Sequence, residues 1–482
     1  MTIKEKKIGW NFDNSYSNLP KSFIYEISPV PVKSPELVIL NYDLADQMNL
    51  NFSSIVDEEL AKIFSGNLLP KGSKSLAQAY AGHQFGHFTM LGDGRAVLIG
   101  EHISKNNQRL DIQFKGSGQT PFSRNGDGRA ALGPMLREYL MSEAMYSLNI
   151  QTTRSLAVVK TGENVIRERP LQGAILTRVA SSHIRVGTFQ FVRTRENLDE
   201  LNALVNYTIT RHYPEISKSK NNAYDLLSKL IDKQIELVVN WMRVGFIHGV
   251  MNTDNMAISG ETIDYGPCAF MDSYNPGTCF SSIDHMGRYA YGNQPAIAKW
   301  NLARFAECLL TLINPKKDDA LKMAIELIDK FDKIYEEKWF NMMKNKLGLI
   351  GYGKEDSLLI FELLEIMKKQ ELDYTNTFLF LMDHEIDDKK SYQNEEFDNW
   401  KMKWQKRLTK DSKNLMELNN PVIIPRNHNV ENVLKSAENN DLTPFNDLLQ
   451  ALKNPYTNQK VLTKYKSPPP KTDEKYQTFC GT

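Results

Sequence analysis

The stretch HGVMNTDNMAISGETIDYG, residues 248–266, places a polar loop shortly before an acidic residue. His248 and Asn255 stand seven positions apart, and Asp264 follows nine residues after Asn255. Amide and carboxylate oxygens are the ligands that Mg²⁺ and similar hard cations prefer, so Asn255 and Asp264 are candidate ligands for Mg²⁺ or Mn²⁺. Val250 can neither accept a proton nor bind a metal. The stretch therefore predicts a metal-binding loop with an apolar residue inside it.

This spacing is that of the H-x-D-x-x-x-x-N loop and the D-F-G element of protein kinases. In kinases the third residue of the loop is the Asp that accepts the proton of the substrate hydroxyl, and here Val250 replaces it. Losing such a base lowers a rate by roughly 10²–10⁴. Asp254 directly precedes Asn255, and we interpret it as a base that has moved. An inactive kinase loop and a chance match are the alternatives.

Three further features of a kinase nucleotide site precede the loop in the expected order. The segment LGDGRAVLIG (91–100) can bring backbone N–H groups and Arg95 close to phosphates, although its GDG by itself is more typical of a hairpin turn. Lys115 ends the strand-like LDIQFKG (110–116), and Glu138 lies in the next predicted helix, where it can pair with that lysine. Each feature is common by itself, and their joint order favours a nucleotide site.

The pattern of predicted elements fits the same outline. Strands are predicted at 96–103 and 110–116, a helix beginning at Gly133-Pro134, strands at 155–162 and 173–180, and a helix over 223–244 that leads into the loop. A strand-like segment over 256–266, with a turn at Ser259-Gly260, and helices at 296–313, 317–347 and 356–370 follow. We predict an α+β, protein-kinase-like fold of two lobes, with a β-rich N-lobe, a helical C-lobe and terminal extensions.

Four parts are expected within this fold. They are an N-terminal extension (1–75), an N-lobe with nucleotide-binding loops (76–195), a C-lobe with the catalytic loop and metal site (196–375), and a C-terminal extension with a redox tail (376–482).

Bulk composition excludes several classes of protein. The 482 residues hold 59 basic and 58 acidic side chains, so no overall field favours nucleic acid. The four cysteines form neither a disulfide framework nor a C-x-x-C zinc motif. We find no signal-peptide core at the start and no apolar run of the roughly 18 residues that would span a bilayer. The expectation is a cytoplasmic protein that binds neither membrane nor nucleic acid.

Glycine and arginine are unusually dense between the lysine and the loop. The segment 116–134 contains a second GDGR, and Arg178 and Arg185 lie on or next to predicted strands. Arginine forks suit phosphate oxygens, and ordinary kinases use fewer of them on their nucleotide. We infer that a triphosphate binds here in an unusual orientation.

Four long motifs, at 79–101, 111–145, 181–191 and 245–267, resemble those of the selenoprotein O family. The likeness is dense over roughly 76–300 and extends over most of the chain. The resemblance implies a pseudokinase fold that binds ATP in a flipped pose and transfers AMP to Ser, Thr or Tyr hydroxyl groups of proteins.

The resemblance also implies roles for individual residues. Asp254 would accept the proton, Asn255 and Asp264 would hold the metal, and Glu138 would orient Lys115. The implied ATP contacts are Gly92, Gly94, Arg95, Lys115, Asp127, Gly128, Arg178, Arg185 and Asp264. The family carries a redox residue near its C-terminus, and Cys480 fills that place; we hypothesise that it pairs with Cys279, with two free thiols as the alternative.

Four functions are compatible with these patterns. Transfer of AMP from ATP comes first, and uridylyl transfer from UTP with Mn²⁺ is a close alternative, because nothing in the sequence fixes the base. Ordinary phosphotransfer is disfavoured by Val250. A nucleotide-binding scaffold without catalysis would also retain some of the site residues.

Overall fold

The computed structural model describes residues 8–458, 463–470 and 476–478. Its strands are β1 Ile24–Glu26, β2 Glu36–Leu40, β3 Leu76–Gln78, β4 Ala81–Gln84, β5 His87–Met90, β6 Ala96–Ile103, β7 Arg109–Lys115, β8 Ala130–Ala131, β9 Arg154–Ile166, β10 Pro170–Ala180, β11 Phe246–Ile247 and β12 Ala269–Phe270. Its helices are α1 Tyr42–Gln47, α2 Asp57–Phe64, α3 Leu132–Ser147, α4 Val186–Thr194, α5 Leu198–His212, α6 Asn222–Val244, α7 Gln294–Ile313, α8 Lys317–Ile328, α9 Lys330–Lys346, α10 Asp356–Lys369, α11 Tyr374–Leu381, α12 Glu395–Gln405, α13 Ser412–Asn419, α14 Asn427–Glu438, α15 Thr443–Leu452 and α16 Thr463–Lys466. The fold is thus α+β, with a β-rich N-terminal region and a helical C-terminal region.

An antiparallel sheet forms the N-terminal region, in the strand order β1-β3-β6-β7-β10-β9-β2, with β8 pairing to β10. The predicted hairpin of β6 and β7 is confirmed, and so are the two strands after α3, which are longer than predicted. Strands β1 and β2, from the predicted extension 1–75, lie at the two ends of this sheet. The domain boundary at 75 stays a prediction.

Alternation along the strands decides which side chains reach the functional face. Side chains of successive strand residues point to opposite faces of a sheet. Phe114 and Val179 belong to a core cluster that also contains residues of α1 and α2. Leu176 belongs to the other cluster, which contains the apolar residues of α3. Lys115, next to Phe114, and Arg178, next to Val179, therefore point to the α3 side.

The helical region begins with α4 and α5 and centres on α6, against which α7 and α9 pack. Helix α6 ends at Gly245, whose φ of +73° is a conformation that glycine adopts without strain, and the chain then enters β11 and the loop at 248–255. The prediction of a helix over 223–244 is confirmed to within one residue.

Two predictions about elements are wrong. The expected helix over 317–347 is two helices that meet at Asp329, because α8 packs on α7 whereas α9 packs on α6. The strand-like segment 256–266 forms only isolated bridges, from Ala257 to Arg185 and from Thr262 to Thr152. Its two halves bond to different partners, so no continuous ladder forms. The turn predicted at Ser259-Gly260 is present, with Gly260 at φ +79°.

The last helices return to the N-terminal region, since α14 and α15 pack against α3. Within the described ranges, no helix combines the length and the apolar character that crossing a membrane requires.

Candidate active site

A cleft of about 930 Å³ lies between the sheet and the loop at 248–255. Residues predicted to bind nucleotide or metal line it together, although they come from distant parts of the chain. They are Gly92, Gly94, Arg95, Lys115, Asp127, Gly128, Arg178, Arg185, Asp254, Asn255 and Asp264. The volume is in the usual range for a pocket that holds a small molecule.

Buried charges surround Asp264 at the floor of this cleft. Lys115 Nζ donates to Asp264 Oδ1 at 2.9 Å and to Glu138 Oε2 at 2.6 Å. Arg178 bridges the same two carboxylates, with 2.5 Å to Asp264 Oδ1 and 2.8 Å from its Nε to Glu138 Oε1. Arg185 NH2 lies 3.9 Å from Asp264 Oδ2. Lys115, Arg178 and Arg185 also line the cleft, where their N–H groups can bind an anionic ligand such as a phosphate.

The ionisation of Asp264 follows from these neighbours. Burial by itself would raise its pKa, but Arg178, Lys115 and Arg185 hold the pKa well below its usual value. Its backbone has φ +62°, a conformation that Asp adopts more readily than most residues but that is still sparsely populated. This unusual backbone turns an ionised carboxylate into the cation cluster.

His248 ties the loop to the segment before Asp264. The backbone N–H of Val250 donates to His248 Nδ1 at 3.3 Å, so the ring proton lies on Nε2, which donates to the carbonyl of Ile263 at 2.9 Å. The ring is buried, and burial lowers its pKa, which keeps it neutral. His248 therefore braces the loop and takes no part as a charged group.

Asp254 lies in a 3-10 turn at Thr253–Asn255, and only 7% of the residue is exposed. Burial raises the pKa of its carboxyl to about 6, against the attraction of Arg185. A carboxylate whose pKa lies near the working pH is better suited to accept a proton than an ordinary Asp. Its Oδ1 is buried and has no hydrogen-bond partner among the residues that the structure describes.

The residues proposed for a divalent cation suit one chemically. Asn255 Nδ2 donates to the carbonyl of Val250 at 3.0 Å, which leaves Oδ1 as a ligand oxygen. Asp264 uses Oδ1 for its short ion pairs, so Oδ2 is the less committed oxygen. Within the described ranges, neither this site nor any other contains a group of three or more His, Cys, Asp or Glu residues that could hold a metal. Phosphate oxygens would have to complete the coordination shell of Mg²⁺ or Mn²⁺.

The segment 116–134, which contains the second GDGR, packs on the first GDGR loop, and glycines make the close contacts possible. Gly92 has φ +148°, and any side chain there would overlap the ring of Phe122. Gly128 has φ +66° and lies directly against the backbone of Gly118. Thr120 Oγ1 donates to the carbonyl of Asp93 at 2.7 Å and joins the loops. The glycines let both backbones approach the cleft closely.

Several residues of the cleft were not predicted individually. Arg167, in the β9–β10 turn, holds Asp127 at 2.8 Å at the outer rim. Tyr80 lies under Arg185, with 4.3 Å from the guanidinium carbon to the ring centroid. Asp93 is buried, and burial raises the pKa of its carboxyl to about 6. Tyr80 and Asp93 belong to the 79–101 motif, which gave the sequence signal, whereas nothing in the sequence around Arg167 indicated its role.

The cysteines are arranged as follows. Cys268 and Cys308 are buried. Cys279 is partly buried, with its Sγ 3.3 Å from Asp284 Oδ2, and burial raises the pKa of its thiol to about 11. Cys480, its predicted redox partner, lies outside the described residues. Thr478 donates its N–H to the carbonyl of Phe280 at 2.7 Å.

Comparisons with known proteins agree with the motifs. The family described as "Protein adenylyltransferase SelO" matches residues 6–453. A protein named "Protein nucleotidyltransferase YdiU" from Pelagibacter ubique is 64% identical over 98% of this chain and 100% of its own length. Proteins of the same name from Nitrosococcus oceani (100% of this chain, 99% of its own) and Bacillus thuringiensis (99% and 100%) are each 55% identical. The chain belongs to the SelO family.

Proposed function

We propose that this chain is a protein nucleotidyltransferase that moves AMP from ATP to Ser, Thr or Tyr hydroxyl groups of proteins and releases pyrophosphate. One observation carries the proposal: position 250 is apolar, while Asp254, a buried carboxylate with a pKa near 6, lines the same cleft as the cations around Asp264. The description of the matching family and the names of the relatives support the same chemistry.

The proposed pose of ATP follows from the distribution of charge. Lys115, Arg178 and Arg185 lie at the cleft floor beside Asp264, where they suit the β- and γ-phosphates. The triphosphate would then lie inverted relative to that of a kinase, and the α-phosphorus would face Asp254. We extend the proposal to a kinase-like two-lobed fold, because the lysine–glutamate pair and the residues Asn255 and Asp264 keep the kinase order.

The reaction in this pose is an in-line displacement. The acceptor hydroxyl oxygen bonds to the α-phosphorus, the bond from the α-phosphorus to the oxygen that bridges to the β-phosphate breaks, and pyrophosphate leaves. Asp254 takes the hydroxyl proton. Lys115 and Arg178 stabilise the charge that develops on the leaving group. A cation held by Asn255 and Asp264 would neutralise further phosphate charge when bound.

Labelled nucleotides test this function directly. The purified chain, with itself and a proteome extract as acceptors, is incubated with Mg²⁺ or Mn²⁺ and one of ATP labelled at the α-phosphate, ATP labelled at the γ-phosphate, or UTP labelled at the α-phosphate. Protein labelled by α-labelled ATP but not by γ-labelled ATP is expected. Stronger labelling by UTP with Mn²⁺ would make the chain a uridylyltransferase, and γ-label would make it a kinase. If the chain binds ATP measurably but no protein is labelled, it is a nucleotide-binding scaffold without catalysis.

The role of Asp254 has its own variant. Asp254→Asn keeps the shape of the side chain and removes the proton acceptor, so kcat should fall by roughly 10²–10⁴ while ATP affinity is retained. ATP affinity is measured by calorimetry and kcat by initial rates. Full activity of this variant would exclude Asp254 as the base.

A further inference from the structure

The hairpin of β4 and β5 lies directly on the loop that carries Asp254. The N–H of His83 donates to Thr253 Oγ1 at 2.7 Å, and the N–H of Phe85 donates to Asn252 Oδ1 at 3.1 Å. Phe85 itself occupies the hairpin turn with φ +51°. These bonds connect segments about 170 residues apart in the chain and attach the hairpin to the side chains of Asn252 and Thr253, the two residues before Asp254.

The same hairpin contacts the carboxylate itself. Gln84 Nε2 lies 3.4 Å from Asp254 Oδ2, at the long end of the hydrogen-bond range. On the other side, the carboxylate packs over Gly82. A Cβ at Gly82 would overlap Asp254 Oδ1 and would lie 2.8 Å from its Cγ. One oxygen thus faces an amide donor, and the other lies against a residue that has no side chain.

Helix α4 holds the hairpin and the loop together from behind. Gln190 Oε1 accepts from Thr253 Oγ1 at 2.6 Å, while Gln190 Nε2 lies 2.7 Å from His83 Nδ1. At Gly187 a side chain would overlap the carbonyl of Ala81. Hairpin, loop and helix are therefore packed at backbone distance, which leaves little freedom for the hairpin to shift relative to the loop.

We propose that the β4–β5 hairpin positions the carboxylate of Asp254, with Gln84 and Gly82 as the positioning residues. The inference rests on the function proposed above, in which Asp254 is the proton acceptor. A carboxylate on a short side chain can rotate about two bonds, and only some orientations direct an oxygen toward a hydroxyl at the α-phosphorus. Gln84 restrains one oxygen by donation, and Gly82 provides the space that the side chain needs.

Gln84→Ala tests the donor. Hydrogen bonds to charged acceptors are stronger than neutral ones, but this one is long, so we expect a roughly 10-fold fall in kcat. The KM for ATP should stay unchanged, because Gln84 does not touch the cation cluster. Gln84→Glu, which keeps the shape and removes the donor, should lose at least as much. His87→Ala, an exposed residue that pairs with Gln84 in the hairpin, is the matched control and should retain activity.

A double-mutant cycle separates positioning from a general structural effect. If Gln84 acts through the Asp254 carboxylate, Gln84→Ala should lower kcat in the wild type but cause no further loss in an Asp254→Asn background. Equal losses in both backgrounds would overturn the inference, and so would unchanged kcat in Gln84→Ala. Absence of nucleotide label with the wild-type protein would instead overturn the proposed function, and this inference with it.

Gly82→Ala tests the packing with a readout besides activity. The added methyl group must displace the Asp254 side chain, so kcat should fall as far as in Asp254→Asn, with KM for ATP unchanged. A crystal structure of the variant should show the carboxylate rotated away from its wild-type position. An unmoved carboxylate with full activity would overturn the role of Gly82. If this variant does not fold, the double-mutant cycle of Gln84→Ala and Asp254→Asn tests the proposal instead.

Discussion

Single residues set the charge of the cleft. Lys115 and Arg178 each contact both Glu138 and Asp264, so the position of each cation is fixed by two carboxylates. The last residue of β7 faces α3 because strand side chains alternate, and this alternation alone brings Lys115 to Glu138. The sequence predicted that pairing from motif order. It did not predict that Asp264 would join the same cluster with an ionised carboxylate and φ +62°.

Removing Lys115 or Asp264, the aspartate proposed to hold the metal, should abolish transfer. In Lys115→Ala and Asp264→Ala we expect the rate of nucleotide labelling to fall by at least about 10²-fold, because the first variant removes a positive charge beside the leaving pyrophosphate and the second removes a proposed ligand of the cation. Lys105→Ala, an exposed lysine in the β6–β7 turn, is the control. Thermal melts establish that the variants fold. Retention of more than half the labelling rate in Lys115→Ala would contradict its role.

At the scale of elements, the sequence pattern located some helices and strands, whereas tertiary packing decided the structure of one strand-like segment. The periodicity of α6, the apolar run of β6 and the alternation of β7 were strong enough to locate these elements in the sequence. The segment 256–266 has strand-like composition but forms no ladder, since its backbone bonds partly to Ile184 and partly to Gln151. Alternating composition reports which side chains are buried. It does not report whether one neighbouring strand is available for the whole segment.

A buried arginine joins three elements of the helical region. Arg426 precedes α14 and contacts Asp272 Oδ1 at 2.5 Å and Asp373 Oδ2 at 2.8 Å, and Asp373 also caps α11. Arg426→Met would leave two largely buried carboxylates without their cation, so we expect a loss of about 3–5 kcal/mol in the free energy of unfolding. Urea unfolding of the wild type and of Arg426→Met measures this difference in free energy.

The control for this variant is an exposed ion pair. Lys338→Met removes the partner of Glu236 in a pair whose side chains are 39% and 56% exposed, and should cost only about 0–1 kcal/mol. Equal destabilisation by both variants would contradict the assignment of Arg426 as a joint between α11, α14 and the segment after β12.

At the scale of the whole molecule, buried neutral histidines make stability depend on pH. His102 Nδ1 accepts the N–H of Asn11 at 3.2 Å, and Nε2 donates to the carbonyl of Met48 at 2.8 Å. Burial lowers the pKa of His102 below its usual value of about 6.5. As the pH falls below about 6.5, the unfolded chain binds a proton that the folded protein does not, so the free energy of unfolding decreases.

Comparison of the wild type with His102→Gln isolates this contribution from that of other titrating groups. The buried carboxyls Asp93 and Asp272 have pKa values raised to about 6 and change stability in the opposite direction. Urea unfolding between pH 7.5 and 5 should show a shallower loss of stability in the variant, by up to about 1.4 kcal/mol per pH unit. Identical slopes would contradict a neutral buried His102. The exposed His87→Gln should leave the slope unchanged.

The C-terminal tail reaches the neighbourhood of Cys279. Thr478 pairs through its backbone with Phe280, the residue after Cys279, while Cys480 lies outside the described residues. The pairing hypothesised from the sequence predicts that oxidised protein contains a Cys279–Cys480 disulfide. Peptide mass mapping under non-reducing conditions measures it, with Cys279→Ser as the control. Absence of the cross-linked peptide in oxidised wild-type protein would leave two free thiols.

The sequence by itself determined the family, the α+β composition, the main helices and strands, and the candidate nucleotide and metal residues among those that line the cleft. These are local properties, because periodicity, glycine spacing and motif order lie within short segments. Only the tertiary structure brought the β4–β5 hairpin onto the loop of Asp254, Arg167 onto Asp127, and Asp264 into a cluster with Lys115 and Arg178. Such contacts join residues far apart in the chain, and they depend on how whole elements pack, which no short segment encodes.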